Sequence, residues 1–268
     1  MINNNSQLAQ AFWERGKLDD CPIYDFHAHM APASDIYFPT STPEAMINTM
    51  KRCGTKLTVF VSHIALDYLE GAEIDLQMAK KYPEYFKLYH AVIPHKTDFK
   101  TAIERIEANP SMYLGFKFHS DMHKTAITDS AYEPFLAYMN ENKLHSLFHT
   151  WGGSGYDGED LMAKMADKYP DGTFICGHSF SGHWKRGVEV TKQFPNVYYE
   201  LTAVMDDNGA IEILCEDAGS ERVLFGTDLP WFDTHHGVGA VLAADISDDD
   251  RRNIFYRNGE KLLAKRFG

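Results

Sequence analysis

Eight short apolar runs, rich in β-branched and aromatic residues, recur along the chain at intervals of roughly 24 to 33 residues. They cover Ile23–His27, Lys56–Ser62, Phe86–Ile93, Tyr113–Phe118, Leu144–His149, Thr173–His178, Val197–Leu201 and Arg222–Asp228. Between them the spacing turns helical. Phe99, Ile103 and Ile106 share one face of Thr97 to Asn109, and Asn109-Pro110 stops that segment. Phe135, Leu136 and Met139 mark a second helix within Ser130 to Asn142, and Ser247-Asp248 predicts the cap of a final helix holding Ile254, Phe255, Leu262 and Leu263.

Strands alternating with helices predict a parallel sheet covered by helices. Eight such units over about 250 residues fit an α/β fold of one closed (β/α)8 TIM barrel. The expectation is a single domain over residues 1–268, with a short N-terminal helical lead-in from about Ser6 to Gly16. A doubly wound open sheet is the runner-up.

Composition narrows the function. The chain has 268 residues, 44% hydrophobic and 24% charged, an ordinary globular balance. Its 26 Lys and Arg against 38 Asp and Glu give a net charge of −12, which repels phosphate backbones and anionic lipid. Neither nucleic acid nor a membrane is expected as a partner; a small-molecule substrate is. Cys21, Cys53, Cys176 and Cys215 lie far apart without a CxxC pair, as in a cytoplasmic protein with reduced thiols. The polar start, Met1 to Gln7, does not read as a signal peptide.

Histidine is the unusual entry, with 13 in the chain. In a barrel, chemistry sits at the C-terminal ends of the strands. Those ends read His27-Ala28-His29, Lys117-Phe118-His119, His149, His178 and Asp228. An extended backbone turns His27 and His29 to one face, with Asp25 one step deeper as an acceptor for a ligating imidazole. Taken singly, His149 and His178 read as hydrogen-bonded core histidines. A buried Asp228 is costly without a cation or donor beside it. Together, three neutral imidazoles and a carboxylate suit Zn²⁺ with room left for water.

Other chemistries fit less well. HExxH is absent, and no GxGxxG follows the first strand. Gly152-Gly153-Ser154-Gly155 runs into Tyr156 where a Walker loop needs Lys, and so reads as a flexible rim. Gly177-His178-Ser179-Phe180-Ser181 lacks the closing glycine of a nucleophile elbow.

The motifs together resemble the amidohydrolase superfamily, and more closely its amidohydrolase-2 branch. Asp25-Phe26-His27-Ala28-His29 is similar to that branch's DxHxH opening, and Gly115-Phe116-Lys117-Phe118-His119 to its fourth-strand block. Phe148-His149-Thr150 and Cys176-Gly177-His178-Ser179 resemble the fifth- and sixth-strand histidine blocks. Asn196-Val197-Tyr198 and the run from Arg222 to Pro230 resemble the closing signatures. The sixth block departs from the pattern, since a glycine usually follows His178 sooner than Gly182.

The resemblance implies a divalent metal ion, usually zinc, held by His27, His29, His149 and Asp228. His178 would face substrate or serve a second ion, and Asp228 would also relay a proton. Lys117 stands where some members carry a carbamylated lysine; its simpler reading is a cation that neutralises substrate. His119 lies on the same strand face, and Trp151 follows His149 by two. By analogy with the branch, a homodimer is expected.

The expected reaction is hydrolysis of a small ester, lactone or amide by an activated water, with Asp228 as base and His178 supporting the oxyanion. Non-oxidative decarboxylation of an aromatic or unsaturated acid is the alternative. It would need a cation over the carboxylate and aromatics about the ring. Trp151, Trp184, Trp231 and Phe232 are candidates for the aromatics. No arginine closely follows a histidine-bearing strand end, the nearest being Arg186, eight residues past His178. Lys96 and Lys117 are the other cations. Hydrolysis is the main expectation on that ground.

Overall fold

Parallel strands buried on both faces need near-continuous apolar runs, and the runs read above provide them. The computed structural model describes residues 6–32, 41–204 and 207–268. Met1–Asn5, part of the segment read for a signal peptide, lie outside these. The described strands are β1 (Ile23–Ala28), β2 (Thr55–Phe60), β3 (Phe86–Val92), β4 (Tyr113–Phe118), β5 (His145–Trp151), β6 (Thr173–Ser181), β7 (Val197–Glu200) and β8 (Val223–Leu224). They form one eight-stranded sheet in sequence order, and each is followed by at least one helix. The sheet curls back on itself: Phe26 N–H donates to the Phe225 carbonyl at 2.9 Å and His29 N–H to that of Leu229 at 2.7 Å. This is the TIM barrel, closed between β1 and the chain that follows β8.

The eighth strand is shorter than Arg222–Asp228. Asp228 has φ 55°, so the ladder gives way to single bonds, Thr227 and Asp228 N–H both donating to the His27 carbonyl. The fifth and sixth strands run two and three residues beyond expectation. Across them His149 pairs with Gly177 but Trp151 with Ser181, so β6 carries two extra residues. They are accommodated by a left-handed run at His178, Ser179 and Phe180, with φ 65°, 48° and 60°. Left-handed backbone costs a non-glycine residue roughly 1–2 kcal/mol. Neighbouring contacts offset it: the Ser179 hydroxyl donates to the Glu200 carbonyl at 2.8 Å, and Phe180 N–H to Thr150 Oγ1 at 3.1 Å. The missing early glycine is thus replaced by a bulge with its own tethers.

The lead-in helix spans Gln7–Arg15, capped by the Ser6 hydroxyl and by left-handed Gly16. Phe99–Ala108 and Glu133–Glu141 form the expected helices. Ser247 and Asp250 form a capping box, but the terminal helix passes through a π turn at Asn253–Arg257.

Pairing register fixes what faces inward. Ala91 lies beside Lys117, Lys117 beside Leu147, and Leu147 beside Ile175. Lys117 therefore belongs to an otherwise apolar layer below the mouth, and it is completely buried.

A second buried charge holds the rim. Asp75 accepts from Ser62 N–H at 2.9 Å, fixing the turn between β2 and His63, and burial pushes its carboxyl up to about 7. Its pKa is higher folded than unfolded, so the folded state binds the proton more tightly. Stability from this group is fullest below about pH 4 and is lost as pH rises towards 7. Asp75→Asn keeps an acceptor and removes the buried charge. Its melting temperature at pH 8 is expected to exceed the wild type's by a few degrees, on the order of 1–2 kcal/mol. The gap should narrow at pH 5; equal destabilisation at both pH values in thermal melts would contradict this.

Candidate metal and substrate site

The DxHxH run places His27 and His29 at the C-terminal end of β1, on the face that looks into the barrel mouth. His27 Nε2 lies 3.2 Å and His29 Nε2 3.3 Å from Asp228 Oδ1, which the left-handed turn after β8 swings towards them. Among the described residues this is the one group of its kind, with ligand atoms all within 4.8 Å of one another.

Hydrogen bonds on the far side of each ring decide which nitrogen is free. His29 Nδ1 donates to the Val61 carbonyl at 2.9 Å, so in the neutral ring Nε2 is the nitrogen that carries the lone pair. His27 Nδ1 bonds Glu200 Oε2 at 2.7 Å, and Lys117 Nζ donates to its Nε2 at 2.8 Å. Asp228 Oδ1 is buried without a hydrogen-bond partner. Two imidazole lone pairs and an unsatisfied carboxylate oxygen thus converge on one point. That donor set fits a divalent ion and would be costly without one.

His27, His29, Lys117, His119, His149, Trp151, His178 and Asp228 line one cleft of about 240 Å³, together with His63, Trp231 and Phe232. Three of the four expected ligands, His27, His29 and Asp228, offer atoms within 4.8 Å of one another. His149 stands aside from the three close ligands, stacked on His119 with ring centroids 4.1 Å apart and edge-on to His178 at 4.8 Å. Its Nδ1 donates to Asp157 Oδ2 at 2.9 Å, which turns Nε2 away from that carboxylate. His178 Nδ1 donates to the Thr202 carbonyl at 3.1 Å and keeps an Nε2 lone pair. His119 is the opposite: its Nδ1 accepts from Met122 N–H at 3.3 Å, so Nε2 carries the proton and acts as a donor. Trp151 covers the rim and is 46% exposed.

Burial sets the electrostatics. It pushes His27 well below the usual imidazole range, with the Lys117 charge adding to the effect, and takes His178 down to about 3. Both rings are neutral. Burial also brings the Lys117 ammonium down to about 8.

Several expectations need correcting. Asp25 does not orient an imidazole; its oxygens accept the His27 backbone N–H at 3.1 Å and the Thr227 hydroxyl at 2.6 Å. The nearer backbone donor captures this short side chain, and Glu200 reaches the ring from β7. Arg186 pairs with Asp160 and Glu189 on the surface, Trp184 packs against the core, and Lys96 lines a separate cleft. None of the three lines the site. Glu200, Asp157 and His63 escape sequence reading because Glu200 precedes the end of the run Val197–Leu201, and Asp157 and His63 lie beyond the ends of theirs. A lone carboxylate closing an apolar strand was the available signal for Glu200. His63 stacks on His29 with centroids 4.3 Å apart, and its Nε2 accepts from Trp231 Nε1 at 2.7 Å.

The amidohydrolase family model matches residues 24–265. The chain belongs to the amidohydrolase family and is an enzyme of it. It is similar to the γ-resorcylate decarboxylase of Rhodococcus jostii, 24% identical over 246 residues covering 84% of this chain and 68% of that one. Solved structures share the fold. The 5-carboxyvanillate decarboxylase of Novosphingobium aromaticivorans, complexed with manganese, matches with TM-score 0.71 and 15% identity over 91% of this chain and 96% of that one. A probable 2-pyrone-4,6-dicarboxylic acid hydrolase from Acinetobacter baumannii gives TM-score 0.68 and 13% identity over 90% and 99%. No described helix is long and apolar enough to cross a membrane.

Proposed function

We propose that this amidohydrolase-family enzyme is a metal-dependent, non-oxidative decarboxylase of an aromatic or unsaturated carboxylic acid. The observation that carries the reading is Lys117, a fully buried cation at the floor of a cleft walled by Trp151, Trp231 and Phe232. A decarboxylase, unlike a hydrolase, needs a cation to hold the leaving carboxylate. Lys117 supplies one from β4, and the decarboxylase relatives point the same way.

His27, His29 and Asp228 are the residues that would hold one divalent ion, which supplies Lewis-acid charge to a substrate oxygen. Two nitrogens and a carboxylate suit zinc and manganese alike, so the donor set does not single out zinc. The Lys117 ammonium and the His119 Nε2–H bind the substrate carboxylate, and the aromatic walls hold the ring or double bond. When the carbon–carboxylate bond breaks, its electron pair stays on carbon and CO₂ leaves. The carbon then takes a proton, which Asp228 relays from solvent. His178, neutral and anchored through Nδ1, orients the substrate beside it.

Hydrolysis is the second reading, favoured by the structural likeness to the pyrone dicarboxylic acid hydrolase. A panel of aromatic and unsaturated acids, followed by CO₂ release with Mn²⁺ or Zn²⁺ present, separates the two. Metal-dependent CO₂ evolution that chelator abolishes is expected. Turnover of lactones, esters or amides with no CO₂ from any acid would overturn the proposal.

A further inference from the structure

Glu200 ends β7, is completely buried and makes no direct claim on the cleft, yet three elements converge on its carboxylate. Oε1 accepts from both the backbone N–H and the hydroxyl of Thr202, each at 2.6 Å. Oε2 accepts from His27 Nδ1 at 2.7 Å and faces the His178 N–H at 3.4 Å. The neighbouring backbone adds to the tie. The Glu200 carbonyl takes the Ser179 hydroxyl, and the Thr202 carbonyl takes His178 Nδ1.

Room for this carboxylate is built into the chain. A Cβ on Gly226 would collide with Glu200 Oε1 and would lie 2.9 Å from the Cβ of His27. The glycine two residues before Asp228 therefore keeps open the space through which β7 reaches β1.

We propose that Glu200 is a positioning residue, which fixes His27 with its proton on Nδ1 and its Nε2 lone pair towards the ion site. A Lys117 ammonium on one side and a Glu200 carboxylate on the other set this polarity. Lys117 donates to Nε2, so Nδ1 must carry the proton and Oε2 must accept it. The same carboxylate steadies the left-handed turn that presents His178, so the proposed metal and substrate groups share one brace. This rests on the metal reading above.

Glu200→Gln tests it, because the amide fills the same volume. Its carbonyl can still accept from Thr202, which turns its NH₂ towards His27. Lys117 still donates to Nε2, so the new NH₂ and the Nδ1–H meet as two donors; the brace is lost and the Nε2 lone pair is no longer held towards the ion site. A merely structural role would survive this exchange; a positioning role would not. The full chain is stripped of metal and titrated with Mn²⁺ against a competing chelator, with Mn²⁺ EPR spectra and melting of the metal-free protein read in parallel.

The dissociation constant is expected to rise about 10- to 100-fold with an altered EPR spectrum. The metal-free variant should melt close to the wild type. Should Glu200→Gln not fold, Thr202→Val removes one donor to Oε1 and is expected to weaken Mn²⁺ binding about 2- to 10-fold. Unchanged affinity in a folded Glu200→Gln, or in Thr202→Val where the first does not fold, overturns the role of Glu200 alone. Wild-type protein that takes up no Mn²⁺ overturns the metal reading and this one with it.

Discussion

Asp228→Asn is expected to lower turnover by about 10²-fold or more while the barrel stays folded. Asp228 Oδ1 is buried, unpartnered, and faces His27 and His29 Nε2 at 3.2 and 3.3 Å. An asparagine there offers either a neutral oxygen or an NH₂ group to two lone pairs. Both outcomes remove the anionic ligand and the proton relay together. The backbone that shapes the turn remains, since Asp228 N–H still donates to the His27 carbonyl at 2.8 Å. Steady-state rates on whichever acid the panel identifies, with metal content measured on the same preparation, provide the check. Full activity in the variant would remove Asp228 from the proton-transfer role.

Lys117→Met should have two effects of opposite sign. The ammonium donates to the His27 Nε2 lone pair at 2.8 Å, the same lone pair a metal ion needs. It is also a like charge beside that ion. Methionine fills the apolar layer formed by Ala91, Leu147 and Ile175 without either conflict. Metal affinity is expected to rise by about tenfold or more, the equivalent of roughly 1.4 kcal/mol. Turnover of an acidic substrate should fall by at least about 10²-fold, as its carboxylate loses a desolvated charged partner. Chelator competition reads the first effect and CO₂ release the second. Retained CO₂ release would move the carboxylate away from Lys117 and reopen the hydrolytic reading.

The parallel barrel was legible in the chain because buried parallel strands demand apolar runs and their crossovers demand helical periodicity. Those two repeats alternate from Ile23 onward. The side chains that gather at the mouth were legible for a related reason. In such a barrel, only strand ends are both rigid and open to substrate, and His27, His29, Lys117, His149 and His178 sit there.

Tertiary structure decided the rest, since each remaining feature depends on groups far apart in sequence. Asp25 and Glu200 were both buried carboxylates within reach of His27, and only three-dimensional placement shows which meets its ring nitrogen. His149 and His119 read alike along the chain, yet His149 Nδ1 donates to Asp157 while His119 Nδ1 accepts from Met122 N–H. The bulge at His178 was visible only as a missing glycine; its left-handed path depends on tethers from Thr150 and Glu200. Residue type and strand position follow from local periodicity. The free nitrogen on each ring, and so the site's chemistry, follows from partners that only the closed barrel brings within hydrogen-bonding distance.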